Sequence, residues 1–300
     1  MRKLSILAAG AAAALVLSAC GGDSDSGSDS GSGTKEIKGF DTSGVEKVDA
    51  VASLVPESVA SDGKLTVGTN IYYAPAEFYD IDGKTPVGYD IDLMKALAAV
   101  MGLEADIQQA EFAAIMPGIP GKFDMGIANI SVTAERQQNF NMIPYFATGS
   151  SWAVLTDNPN DFDPEDICGK TVGVQIGTVQ DDELADMDFS SCSAAPKVER
   201  YNEQSAVTTA VVGGKLDALY ADSSVADYAV AQTSGQLQTI GEPTGVVPIG
   251  AVVSKDDAAF TEATVAAFQY LMDEGILADI FEAWGIKDNV GTEALVNPVK

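Results

Sequence analysis

Two short patterns each occur twice in this 300-residue chain, and in the same order. Lys64-Leu65-Thr66-Val67-Gly68 returns as Lys170-Thr171-Val172-Gly173, and Gly121-Lys122-Phe123-Asp124 returns as Gly214-Lys215-Leu216-Asp217. In each repeat the first run reads as a buried strand that opens a unit. In the second, a glycine ends a helix and the following residues start another strand. A chain with this order is constrained to two similarly built halves. β-Rich runs alternate with amphipathic helical ones throughout, which is the pattern of α/β architecture. Strands are expected over Lys64–Thr69, Asp124–Asn129, Thr171–Gln175 and Ala218–Ala221. Helices are expected over Asp90–Met101, Glu203–Val212, Val225–Gln232 and Ala258–Glu274, the first with Ile91, Met94, Leu97, Ala98 and Met101 on one face. A further short amphipathic helix is expected within Val45–Ser61, outside the first half.

The N-terminus has a different character. Arg2 and Lys3 precede an uncharged run from Leu4 to Leu17, and Ser18-Ala19-Cys20-Gly21 follow. That is the anatomy of an export signal, and the run falls short of the roughly 20 residues a membrane-spanning helix needs. The small residues before Cys20 resemble the bacterial lipobox, which implies a signal peptide over residues 1–19 and a lipidated, palmitate-bearing Cys20. A plain secretory signal with an incidental cysteine is the alternative. Residues 20–44, rich in Gly, Ser and Asp, read as a flexible acidic tether. The expected location is extracytoplasmic, anchored to the cell membrane.

The formal charge of −27 argues against nucleic acid or anionic membrane surfaces as partners. The chain has no histidine, which removes Ser-His-Asp catalysis, Cys-His catalysis and His-ligated metal sites. No metal site and no cofactor are expected. Cys168 and Cys192 form an even pair in an exported chain and are expected to be disulfide-bonded, two buried thiols being the alternative.

After Cys20 the chain contains only two arginines, Arg136 and Arg200. Arg136 follows a predicted strand in Ser131-Val132-Thr133-Ala134-Glu135-Arg136, where its planar fork suits a carboxylate. The same run also suits a helix start capped by Ser131 or Thr133, with Arg136 paired to an acid. The loop Gln175-Ile176-Gly177-Thr178-Val179-Gln180 joins a strand to a helix, so the amides of Thr178 and Val179 can face an anion. Asp222 ends a strand, as a partner for an ammonium group or as a helix cap.

Together with Gly68 to Phe78, Val87 to Leu93, Lys215 to Asp222 and Gly275 to Trp284, these runs resemble the family 3 solute-binding proteins, amino-acid receptors of ABC importers. The resemblance covers nearly the whole body. It implies a two-lobed, type II periplasmic-binding-protein-like clamp with two hinge crossings, residues 45–153 plus 250–300 forming lobe 1 and 154–249 forming lobe 2. It further implies that a free amino acid places its carboxylate against Arg136, Ser131, Thr178 and Val179 and its ammonium against Asp222 and Asn129. Tyr73 and Phe112 would sandwich the ligand side chain. A monomer that delivers its ligand to permease membrane subunits is the implied assembly.

Asn70 stands where many relatives have an aspartate, and Ala76 replaces a phenylalanine. Without that carboxylate, and with no spare cation, a neutral polar side chain such as glutamine or asparagine is expected. Two other readings follow from the same resemblance. Cyclohexadienyl dehydratases look like this family, and here only Glu111 suggests itself as their acid; a ligand-binding module of a sensor is the other.

Overall fold

The computed structural model describes residues 39–300, so the expected export signal, Cys20 and most of the expected tether lie outside the described residues. Among the described residues there are ten strands: β1 (Lys64–Thr69), β2 (Phe78–Tyr79), β3 (Pro86–Val87), β4 (Glu104–Gln109), β5 (Met125–Gly126), β6 (Phe140–Leu155), β7 (Thr171–Gln175), β8 (Lys197–Tyr201), β9 (Ala218–Asp222) and β10 (Leu237–Ser254). β2 and β3 form a small hairpin; the others make one sheet in the order β4-β1-β5-β10-β6-β9-β7-β8.

β1 runs parallel to β4 and β5 in the first half, and β7 runs parallel to β8 and β9 in the second. The long strands β6 and β10 pair antiparallel with each other along both halves and carry the chain between them. Their register slips between Ile240 and Val247, around the point where β6 takes up β9 at Ser150. The fold is thus the expected two-lobed α/β clamp. The changeover lies several residues away from the expected boundaries: Ala153, placed in lobe 1, pairs with Leu219, and Ile249, placed in lobe 2, pairs with Phe146. The changeover falls at the polar, glycine-bearing centres of the two strands, Thr148-Gly149-Ser150-Ser151 and Gly241-Glu242-Pro243-Thr244-Gly245, but which neighbour each end takes is set by pairing with remote strands.

The helix Tyr89–Met101 is buried on nearly all sides, not on one face. Helices Ala258–Asp273 and Ile276–Ala283 cover the rest of it, and Tyr89 stacks on Phe281 at 4.9 Å. Four other expectations shift. Only Met125–Gly126 of the strand expected over Asp124–Asn129 joins the ladder, because Asn129 turns the chain with φ 48°. The helix of the second half begins at Ser223 rather than Val225. Val45–Ser61 holds two four-residue helices, Asp49–Ala52 and Glu57–Ala60, because Pro56 interrupts the run. Residues 39–44, counted with the tether, are already docked, the Phe40 amide donating to Asp92 Oδ2 at 2.9 Å.

Cys168 and Cys192 are joined in a disulfide with Cα atoms 5.4 Å apart, at the outer end of the second half. Among the described residues no helix is long and apolar enough to cross a membrane.

Candidate functional site

In open α/β sheets the carboxyl ends of the strands hold the ligand contacts, since loops there are free of the ladder. Here the ends of β5 and β9 and the start of the helix after β7 converge between the two halves. They enclose a small, tightly closed cavity lined by Tyr73, Phe112, Asn129, Ser131, Arg136, Thr178, Val179, Gln180 and Asp222. Eight of the nine residues proposed from sequence meet there. Asn70 does not line it.

Asp222 holds the helix-cap position of Ser223–Gln232, yet its side chain makes no cap bond. The carboxylate turns inward instead. Oδ2 accepts from Tyr73 Oη at 2.7 Å and from Asn129 Nδ2 at 2.8 Å, while Oδ1 accepts from Gln180 Nε2 at 2.9 Å. Burial pushes the Asp222 carboxyl above its ordinary range, and the bonds from Tyr73, Gln180 and Asn129 together with the Arg136 charge pull it back. A buried acid so supplied with donors can stay ionised and accept from an ammonium group.

Arg136 begins a four-residue helix whose first amide is capped by Thr133 Oγ1 at 3.1 Å, while the pairing with an acid that went with the capping reading is not made. Its guanidinium donates to Ser131 O at 2.8 Å and, from the opposite half, to Gly177 O at 3.0 Å. It also lies over the Phe112 ring, 6.0 Å from the centroid. No acid of the described residues comes within ion-pair distance, which leaves its charge available to an anion. Burial lowers its pKa, opposed by the charges of Asp182, Asp222 and Glu135.

The helix Val179–Asp186 points its first turn at this guanidinium. Thr178 caps it, Oγ1 accepting from Asp181 N at 3.2 Å, and the amides of its opening residues have no intrahelical partner. Gly177 is needed at the turn: its φ is 79°, and a side chain there would press on Ala113. Arg200 holds the loop from below by donating to Asp181 Oδ1 at 2.6 Å, while Asp181 Oδ2 accepts the Gly177 amide at 3.1 Å.

Asn70 sits deeper. Its Nδ2 donates to Ala110 O at 2.8 Å and its Oδ1 accepts from Gln175 Nε2 across the cleft at 3.0 Å. Glu111, the acid considered for an enzyme, lies on the rim, accepting from Asn202 Nδ2 at 3.0 Å, and does not line the cavity. Gln180 and Gln175 were not foreseen as contacts. The Gln at the second position after Thr178 was the available signal, because it begins a helix whose N-terminus was already assigned to the site. A positive fork with free helix amides at one end and a buried carboxylate at the other can hold a zwitterion, with Tyr73 and Phe112 between them.

A model of the bacterial extracellular solute-binding proteins, family 3, matches residues 65–287. The arginine-binding protein ArgT of Corynebacterium glutamicum is 35% identical over 257 residues, covering 84% of each chain. An ancestral arginine-binding protein bound to arginine matches at TM-score 0.68 and 30% identity over 74% of this chain and 98% of that one. The glutamine-bound form of such a protein gives 0.68 and 31% over 74% and 97%. An ancestral amino-acid-binding protein described as a precursor of cyclohexadienyl dehydratase gives 0.69 and 27% over 77% and 99%. Fold, site geometry and these similarities agree, and the chain belongs to the family 3 bacterial extracellular solute-binding proteins.

Proposed function

We propose that this protein is an extracytoplasmic receptor that closes its two lobes around a free polar amino acid and presents it to the membrane subunits of an ABC-type permease. The observation that carries the reading is the opposed pair Arg136 and Asp222 at the two ends of one interlobe cavity. Arg136, Ser131 and the amides of Thr178 and Val179 take the carboxylate, Asp222 with Asn129 takes the ammonium, and Tyr73 and Phe112 face the side chain. Ligand that touches both lobes favours the closed shape by its differential contacts, with the hinge near residues 148–150 and 241–247. Cys20 and the tether would keep the receptor near its permease.

Arginine is the first ligand to test. Relatives named for arginine support it, as do the acids Glu135, Asp182, Glu183 and Asp186 that line the wider cleft beside the cavity. Glutamine is the second, favoured by the uncharged Asn70, which stands where many relatives have an aspartate, and by the glutamine-bound neighbour. Titration calorimetry with the common amino acids, on wild type and Arg136→Ala, decides the matter. Heat with arginine or glutamine that vanishes in the variant supports the reading; no heat with any amino acid overturns it. Turnover of arogenate or prephenate, abolished by Glu111→Gln, would establish the dehydratase alternative instead.

A further inference from the structure

Behind the ammonium end of the cavity lies a second group of acids that the binding reading does not use. Glu77 and Asp90 are both wholly buried. Asp90, in the first turn of helix Tyr89–Met101, accepts at both oxygens: Oδ2 from the Asn129 amide at 2.7 Å and Oδ1 from Tyr145 Oη at 2.8 Å. Asn129 is thereby held at three points, since its Oδ1 also accepts from Tyr89 Oη at 3.0 Å and its Nδ2 donates to Asp222 at 2.8 Å. The grip fixes a residue whose backbone is left-handed, with φ 48°.

Glu77 is the opposite case. Neither of its oxygens has a hydrogen-bond partner among the N–H and O–H groups of the described residues, although its carboxyl lies within hydrogen-bonding reach of Asp90. Asp222, at the end of β9, bears on it, and the phenols of Tyr89 and Tyr145 in turn feel the charges of Glu77 and Asp90. No lysine or arginine of the described residues forms an ion pair with Glu77 or Asp90. An ionised carboxylate without donors, buried beside another, is among the costliest arrangements a protein can hold. A carboxylic acid removes that charge and supplies the missing bond.

We propose that Glu77 is a proton-bearing positioning residue: its carboxylic acid donates to Asp90, and through Asp90 and Asn129 it sets the orientation of Asp222. Burial, followed by the Asp90 charge, pushes the Glu77 carboxyl well above the ordinary carboxylate range. Burial also raises Asp90, to about 7, while the bonds from Tyr145, Asn129 and Glu77 hold it down. The effect on ligand rests on the binding reading above; the proton on Glu77 does not.

The sign follows from linkage. In the unfolded chain both acids ionise near their ordinary values, whereas the folded chain keeps protons on the pair. Stability therefore falls as pH rises from the ordinary carboxylate range through about 7 for Asp90 and on towards the higher value of Glu77. Each retained proton changes the folding equilibrium by about tenfold per pH unit.

Urea unfolding of wild type, Glu77→Gln, Glu77→Ala and Asp90→Asn from about pH 5 to about pH 9 tests this. Glu77→Gln replaces an O–H donor by an N–H donor that cannot ionise. It is expected to lower the pH slope by about one proton, or about tenfold per pH unit, and to rescue amino-acid affinity to within about threefold of wild type. Glu77→Ala leaves Asp90 short of a donor, and Asp90→Asn turns an amide N–H towards Asn129 or Tyr145; each is expected to weaken binding by about tenfold. An unchanged pH slope in Glu77→Gln overturns the proposal, as does a Gln variant that loses as much affinity as the Ala variant. If wild type binds no amino acid, the receptor reading fails while the slope still decides where the proton sits. If Glu77→Ala does not fold, the comparison of Gln with wild type is sufficient.

Discussion

In the first half of the molecule Asp124 Oδ2 accepts the amide of Thr66 at 2.8 Å, and the Asp124 amide returns to Thr66 O at 2.9 Å. In the second half Asp217 does the same with Thr171, at 2.7 Å in both directions. Gly68 lies under Phe123, where an added Cβ would come within 2.6 Å of the ring, and Gly173 lies under Leu216 in the same way. The doubled sequence pattern is therefore one packing device used twice: an aspartate pins the start of the first strand, and the large residue before it rests on that strand's glycine. Counting onward by the same offsets, Asn70 corresponds to Gln175 and Asn129 to Asp222. Both pairs meet across the cleft, at 3.0 and 2.8 Å.

The halves differ in what those corresponding positions carry. The first brings the cation Arg136 and the rings of Tyr73 and Phe112; the second brings the carboxylate of Asp222 and a helix N-terminus. The scaffold is repeated while the side chains at the strand ends have diverged, which is how one architecture comes to hold a zwitterion with distinct ends. Only the second half has a disulfide among the described residues. Its apolar residues divide between a cluster around Trp152, Val172 and Tyr220 and a second set, including Val207, Leu219 and Val225, that is continuous with the core of the first half.

The largest expected effect tests the divergence. Arg136→Ala and Asp222→Ala should each cost about 3–5 kcal/mol of binding by calorimetry, because each leaves an opposite ligand charge buried and unpaired. Retained affinity in either variant would remove that end from the site. Next is the disulfide, which closes a sequence separation of 24 residues in one half only. Cys168→Ser should destabilise by about 3 kcal/mol in denaturant, with early loss of hydrogen-exchange protection confined to β7, β8 and β9. Uniform loss over both halves would show that they unfold as one unit.

The packing device comes third. Gly68→Ala and Gly173→Ala should each cost about 1–3 kcal/mol by overpacking. Phe123→Ala should suppress part of the first and Leu216→Ala part of the second, so crossed pairs serve as controls; additive behaviour within the matched pairs would dissolve the correspondence. The smallest effect is expected for Asp124→Asn and Asp217→Asn, about 1–2 kcal/mol each in thermal melts. A marked difference between these two would mean the pin matters in one half only.

Much of the fold was legible because its signals are local. β1 and β7 were placed to the residue, since short β-rich runs bounded by glycine and polar residues read directly as buried strands. The roles of Arg136 and Asp222 were each open between cap and contact from sequence. Local geometry bears on each differently: at Arg136 the first amide is capped by Thr133, and at Asp222 no cap bond forms. Asn70 was given a place in the cavity that it does not line, because its distance from the other contacts depends on Gln175, 105 positions away. Glu77 carried no signal at all, being one acid among 44.

By itself the sequence determined the two-part α/β plan, the repeated strand starts and the types of charge at the strand ends. These depend on periodicity, glycine and side-chain chemistry, which act over a few residues. Only the tertiary structure decided which neighbour each end of β6 and β10 takes, which side chains face one another across the cleft, and that Glu77 is left without a donor beside Asp90. Those are properties of distance and dielectric between residues remote in the chain, and no local pattern encodes them.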